Sequence, residues 1–191
     1  ILMRITTCLL VFFLGHCLLA QEKPWIYREM SLPDGKQLTV GIARPPAYDA
    51  QKTYPVLIGL PPGRQSREMA EAAFERYWGR FATERGWIVI SPVAPEGKLF
   101  FEGGESALPA LLNRLRVDYR IEGGRFHLAG PSNGGRSAFR VAGLYPYEFQ
   151  SLTAFPGFPP AAEDGPRLPA LKNMRVTLFA GEKDALWAGQ A

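Results

Sequence analysis

The chain has 191 residues, 47% of them hydrophobic, and a net charge of +4 from scattered basic residues; this fits a folded domain and argues against disorder or a nucleic-acid partner. Cys8, Cys17 and His16 all precede residue 21, so the remainder holds no thiol and one histidine, His127. That excludes a disulfide framework, a Cys-ligated zinc and a Cys nucleophile, leaves no set of histidines for a metal centre, and predicts neither metal nor cofactor.

Residues 1–20 begin with a positive Arg4, continue through an apolar block from Leu9 to Leu14, and end on Gly15-His16-Cys17-Leu18-Leu19-Ala20. This is the layout of a secretory signal, and the apolar part is too short for a transmembrane span. Cleavage after Ala20 leaves residues 21–191 as one domain, secreted or periplasmic, with Met3 as the expected start. Leu14 stands three residues before Cys17, as in a lipoprotein signal, but His16 occupies the place of a small residue. Membrane attachment is therefore expected only if Cys17 carries a lipid.

Strand-like Trp25–Leu32 and Gln37–Ala43 flank the turn cluster Pro33-Asp34-Gly35-Lys36 and predict a hairpin. Apolar Pro55–Leu60 is broken by Pro61-Pro62-Gly63. Ser66 then suits an N-cap, with Glu68 in the first turn and Met69, Ala73, Tyr77 and Phe81 recurring at i+4 until Gly86. Trp87–Ser91 is a buried strand, and Pro109 opens a helix with Leu111, Leu112 and Leu115 on its apolar face. Strand Phe126–Ala129, helix Asn133–Leu144, strand Phe149–Phe155, a Pro-rich loop over 156–170 and strand Val176–Ala180 complete the pattern. Continuous apolar strands alternating with helices predict a three-layer α/β sandwich, its sheet mostly parallel with an antiparallel N-terminal hairpin.

Between the strand ending at Ala129 and the helix from Asn133 lies Gly130-Pro131-Ser132-Asn133-Gly134-Gly135. This is G-x-S-x-G in the strand-turn-helix context of a nucleophile elbow. The turn strains Ser132 and lifts its hydroxyl above the sheet edge, and side chains at Gly130 and Gly134 would collide. The helix N-terminus faces the reacting centre, and Asn133 offers a backbone N–H to an oxyanion. The alternative is a Gly-rich turn with a surface serine.

From Trp25 to Trp187 the chain resembles the α/β-hydrolase family, and within it the secreted esterases grouped with polyhydroxybutyrate depolymerases and feruloyl esterases. The segment Tyr119–Gly135 carries the most specific likeness. Tyr54–Gly63 resembles the strand and His-Gly loop that supply the second oxyanion donor. Pro61-Pro62 stands in place of His-Gly and donates no N–H, so the resemblance puts that donor at Gly63 or Arg64. Phe179-Ala-Gly181-Glu-Lys-Asp184 resembles the family's segment carrying the triad acid, which makes Asp184 the candidate and Glu182 the fallback. Phe155 and Phe158 would line an acyl or aryl pocket, or simply pack.

The base is missing. His127 precedes Ser132 by five residues on one strand, on the order of 15 Å of backbone, and reads as a structural histidine. Only Ala185 to Ala191 follow Asp184, and none is His. The expectation is the N-terminal part of a longer serine hydrolase, inactive by itself, with the final strand, helix and catalytic histidine downstream. Its substrate would be a small or polymeric carboxylic ester. A serine peptidase of the prolyl-oligopeptidase kind and a non-catalytic binding domain are the alternatives, and the oligomeric state is open.

Overall fold

The computed structural model describes residues 23–188, and the expected signal, with Cys8, His16 and Cys17, lies outside the described residues. In chain order the elements are β1 (Trp25–Ser31), β2 (Gln37–Ala43), β3 (Thr53–Tyr54), β4 (Val56–Gly59), α1 (Arg67–Ala73), α2 (Gly79–Thr83), β5 (Ile88–Pro92) and α3 (Leu108–Asp118). After these come β6 (Arg120–Ile121), β7 (Phe126–Gly130), α4 (Asn133–Leu144), β8 (Phe149–Ala154), β9 (Arg175–Leu178) and α5 (Ala185–Ala188). The expected hairpin forms in full register from Trp25 opposite Ala43 to Ser31 opposite Gln37. Its turn closes through Gly35, whose N–H reaches the Leu32 carbonyl at 3.0 Å from a φ of +81° that glycine tolerates without strain.

The main sheet runs β1-β2-β5-β4-β7-β8-β9. β2 pairs antiparallel with β1 and β5, and β5, β4, β7, β8 and β9 run parallel to one another. Alternation along the strands fills two layers. Val56, Ile58, Ile88, Ile90, Phe126 and Leu128 face α3 and α4 and share one core with Leu108, Leu111, Leu112, Leu115 and Val141. Val89 and Leu57 point the other way, onto Ala73, Phe74 and Trp78. Burial on both faces is why these strands read as unbroken apolar runs. β3 and β6 form a separate two-residue parallel ladder that no sequence signal announced.

Two expectations are corrected. Ser66 does cap α1, its Oγ accepting from Met69 N at 3.3 Å. The i+4 stripe, however, is not the buried face throughout. A π-helical turn over Phe74–Trp78 inserts a residue and rotates the helix beyond it. Phe74 and Trp78 are buried, whereas Tyr77 and Phe81 are 39% and 59% exposed. Gly79 marks the crowding, since a Cβ there would lie 2.5 Å from the Phe74 carbonyl oxygen and 2.8 Å from the Trp25 ring. The Pro-rich segment, in turn, is not all loop. Ala162–Asn173 winds as successive 3₁₀ turns, which tolerate its prolines better than an α-helix would. They bury Asp164 against Arg140 and Arg167, each at 2.9 Å.

His127 is satisfied within the fold, as expected. Its Nδ1 lies 2.7 Å from Ser151 Oγ, its ring 4.5 Å from that of Trp87, and the Gln150 amide nitrogen 3.0 Å from Nε2. The amide can only donate to Nε2, so the ring is neutral with its proton on Nδ1. Burial, and then the nearby Arg175 charge, hold its pKa below the ordinary histidine value. An unfolded chain therefore takes up this proton first, and stability should fall as pH drops below about 6.5. Urea midpoints of the protein at pH 7.5 and 5.5 are expected to show that fall, and His127→Gln to flatten it.

Among the described residues β9 is an edge strand, with Val176, Leu178 and Phe179 between 40% and 59% exposed. No helix among them is long and apolar enough to cross a membrane.

Candidate active site

Where β5 pairs on one side of β4 and β7 on the other, the strand order reverses. Such a switch point opens a crevice at the carboxyl ends of the strands. The loop after β4 and the turn after β7 both end there, and Ser132 stands in that turn. Its φ of 56° and ψ of −121° lie where few residues other than glycine are found, at a cost of order 1–3 kcal/mol. The turn is held by Ser132 N–H donating to the Pro156 carbonyl at 2.9 Å and Gly134 N–H to the Pro131 carbonyl at 2.8 Å. Although Ser132 sits at the N-cap of α4, its side chain caps nothing. No described residue bonds to its hydroxyl, which leaves it half-buried and uncommitted.

The elbow glycines are required by close approach. A Cβ on Gly130 would meet Gly134 C at 2.2 Å, as expected. One on Gly134 would meet the Leu60 carbonyl oxygen at 2.1 Å, so there the obstacle is the loop after β4 rather than the turn itself. Gly135 is fixed likewise by the Pro156 carbonyl oxygen at 2.3 Å.

The close approach of Gly134 to Leu60 and Pro61 brings the predicted oxyanion loop against the elbow. Gly63 has a φ of +58°, and its carbonyl accepts from Asn133 Nδ2 at 2.9 Å. The N–H groups of Gly63, Arg64 and Asn133 have no acceptor among the described residues. The 12-residue helix α4 directs its positive dipole end at the same spot.

Asp184 lies past the carboxyl end of β9, two strands from β7, so the strand axes beneath it and Ser132 are about 10 Å apart. It is half-buried, and its Oδ1 lies 3.3 Å from Trp187 N, where it caps α5. Glu182 is exposed by comparison. The two aromatic candidates separate. Phe155 packs edge-on to Tyr77 and Trp78, against the second core. Phe158 lies 5.2 Å from the Trp187 ring and beside the Arg136 guanidinium, which also covers Phe101 at 4.3 Å. Arg136 and Trp187 were not marked out by the sequence. Their only signal is spacing, one helical turn after Ser132 and three residues after Asp184.

His127 stays on β7 with its ring on the layer occupied by Trp87 and Ser151, and it reaches neither Ser132 nor Asp184. The structure thus gathers Ser132, Asn133, Gly63, Arg64 and Asp184 at one edge of the sheet.

No protein-family model matches the chain. Over 151 residues it is 28% identical to dipeptidyl-peptidase 5 of Porphyromonas gingivalis, covering 73% of this chain and 21% of that protein. Among solved structures, a thermostable esterase superposes with a TM-score of 0.66 at 15% identity, over 86% of this chain and 48% of the other. FphF, a fluorophosphonate-binding serine hydrolase of Staphylococcus aureus, superposes with a TM-score of 0.55 at 16% identity, over 69% of this chain and 57% of that one. The chain spans about a fifth of the peptidase and under half of the esterase. The sheet order, the elbow after β7 and this likeness together show that the chain has the α/β-hydrolase fold.

Proposed function

We propose that the chain is the nucleophile-bearing part of a serine hydrolase that cleaves carboxylic esters through an acyl-enzyme on Ser132. The observation that carries this is Ser132 itself, a non-glycine residue held at positive φ with its hydroxyl free, at the N-terminus of a long helix. Backbone strain of this kind persists only where the surroundings impose it, and it clusters at reacting centres. In the reaction, Oγ adds to the ester carbonyl carbon as its proton passes to a histidine. The Asn133 N–H and an N–H of Gly63 or Arg64 hold the resulting oxyanion. The alcohol leaves with that proton, and water then cleaves the acyl-enzyme. Because His127 is committed elsewhere, we place the base on sequence beyond these 191 residues and expect them alone to be inactive. Phe158 and Trp187 would wall the acyl side.

A serine peptidase is the second reading, favoured by the likeness to a dipeptidyl-peptidase. The test uses the full-length product. A fluorophosphonate probe should label the peptide containing Ser132, and turnover of p-nitrophenyl esters should exceed that of dipeptidyl p-nitroanilides. The reverse preference makes it a peptidase, and no labelling leaves a binding domain. We also propose export, on residues 1–20. N-terminal sequencing of the exported protein should begin near Gln21, and a product confined to the cytosol would contradict it.

A further inference from the structure

Gln65 follows the Pro61-Pro62-Gly63-Arg64 turn, in a loop where a glutamine would ordinarily be solvated. Instead it is fully buried and has a φ of +54°, uncommon for a residue other than glycine. Its amide nitrogen donates to the Pro61 carbonyl at 3.1 Å and to Ser137 Oγ at 2.9 Å, with the Asn133 carbonyl oxygen at 3.5 Å. Its Oε1 accepts from Phe100 N–H at 2.8 Å. These partners fix the amide orientation, since a carbonyl can only accept and a backbone N–H only donate. The main chain is engaged as well, with N–H donating to the Pro62 carbonyl and the carbonyl accepting from Ala94 N–H. One side chain thus joins the loop after β4, the loop after β5 and the first turns of α4.

The location gives these bonds a consequence beyond packing. An oxyanion hole works only if its donors stand about 2.7–3.1 Å from where the oxyanion forms. Here the donors come from two separate segments, the Gly63–Arg64 loop and the elbow at Asn133. Three side-chain ties span the gap between them among the described residues: Asn133 Nδ2 to the Gly63 carbonyl, Gln65 Nε2 to Ser137 Oγ, and the longer contact of Gln65 Nε2 with the Asn133 carbonyl. Of these, the Gln65–Ser137 bond alone joins two fully buried residues.

We propose that Gln65 is a positioning residue that locks the Gly63 and Arg64 N–H groups in register with Ser132, so that both halves of the oxyanion site are set before substrate arrives. This rests on the serine-hydrolase reading above. Gln65 touches no substrate, so its removal should weaken transition-state binding and leave ground-state binding alone. In the full-length product, Gln65→Leu is expected to lower kcat on a p-nitrophenyl ester by about 10²-fold with KM nearly unchanged. The affinity for a trifluoromethyl ketone, whose adduct on serine carries an oxyanion, should fall by the same factor. Should Gln65→Leu not fold, Ser137→Ala decides the matter, because it keeps Gln65 and removes one of its acceptors. It should give a smaller drop in kcat and in ketone affinity together. A folded Gln65→Leu with wild-type kcat, or with lower kcat but unchanged ketone affinity, overturns the proposal. A wild-type product that neither turns over nor reacts with fluorophosphonate overturns the serine-hydrolase reading instead.

Discussion

Ser132→Ala is expected to lower kcat/KM of the full-length product on an activated ester by about 10⁴- to 10⁶-fold, while its thermal midpoint barely moves. The two halves of that result have separate causes. Loss of activity follows from deleting the atom that forms the acyl bond, and whatever remains is catalysis by the oxyanion donors and substrate binding. Unchanged stability follows from the surroundings of the hydroxyl, which bonds to no described residue, so no partner is left unsatisfied. Alanine at the same positive φ bears the same backbone strain. Other serines of the fold are bound differently. Ser91 Oγ donates to the Gly59 carbonyl, Ser137 pairs with Gln65 and Ser151 with His127, so their loss should register in stability, and that of Ser137 in kcat as well. Steady-state kinetics and a thermal melt on the same preparations check both halves. An active Ser132→Ala places the nucleophile elsewhere.

The parts of the fold legible in the sequence are those where one local rule decides. Buried strands announce themselves as Val/Ile/Leu runs between breakers, and helix Asn133–Leu144 is bounded by its elbow and Pro146. The elbow was readable because its glycines answer to steric demands a motif can encode. The features that escaped depend on tertiary context. The π turn at Phe74–Trp78 leaves the i+4 spacing intact on paper while rotating the face beyond it. Buried Asp164 is set by ion pairs with Arg140 on another element, which no periodicity reports. Gln65 escaped for the same reason, since its burial arises from three segments meeting. Asp184 is the candidate acid by likeness to a family pattern, and the structure adds its position past the end of β9 and its role as a cap.

That cap sharpens the test of Asp184. Two substitutions divide its charge from its hydrogen bonding. Asn caps a helix about as well as Asp, whereas Ala loses roughly 1 kcal/mol at such a position. Asp184→Asn should therefore preserve the contact with Trp187 N and the melting temperature, yet abolish the negative charge. If Asp184 orients the histidine and balances its positive charge in the transition state, kcat in the full-length product should fall by about 10⁴-fold, because an amide also favours the wrong imidazole tautomer. KM should change little, since the carboxylate meets the histidine and not the ester. Asp184→Ala should lose activity to a similar extent and stability besides. A structural role alone predicts the opposite ordering, with Asn close to wild type and Ala impaired through unfolding. Kinetics and melts on the two variants separate these cases. Should Asp184→Asn keep full activity while Glu182→Gln loses it, the acid is Glu182, two residues nearer β9 on the same turn.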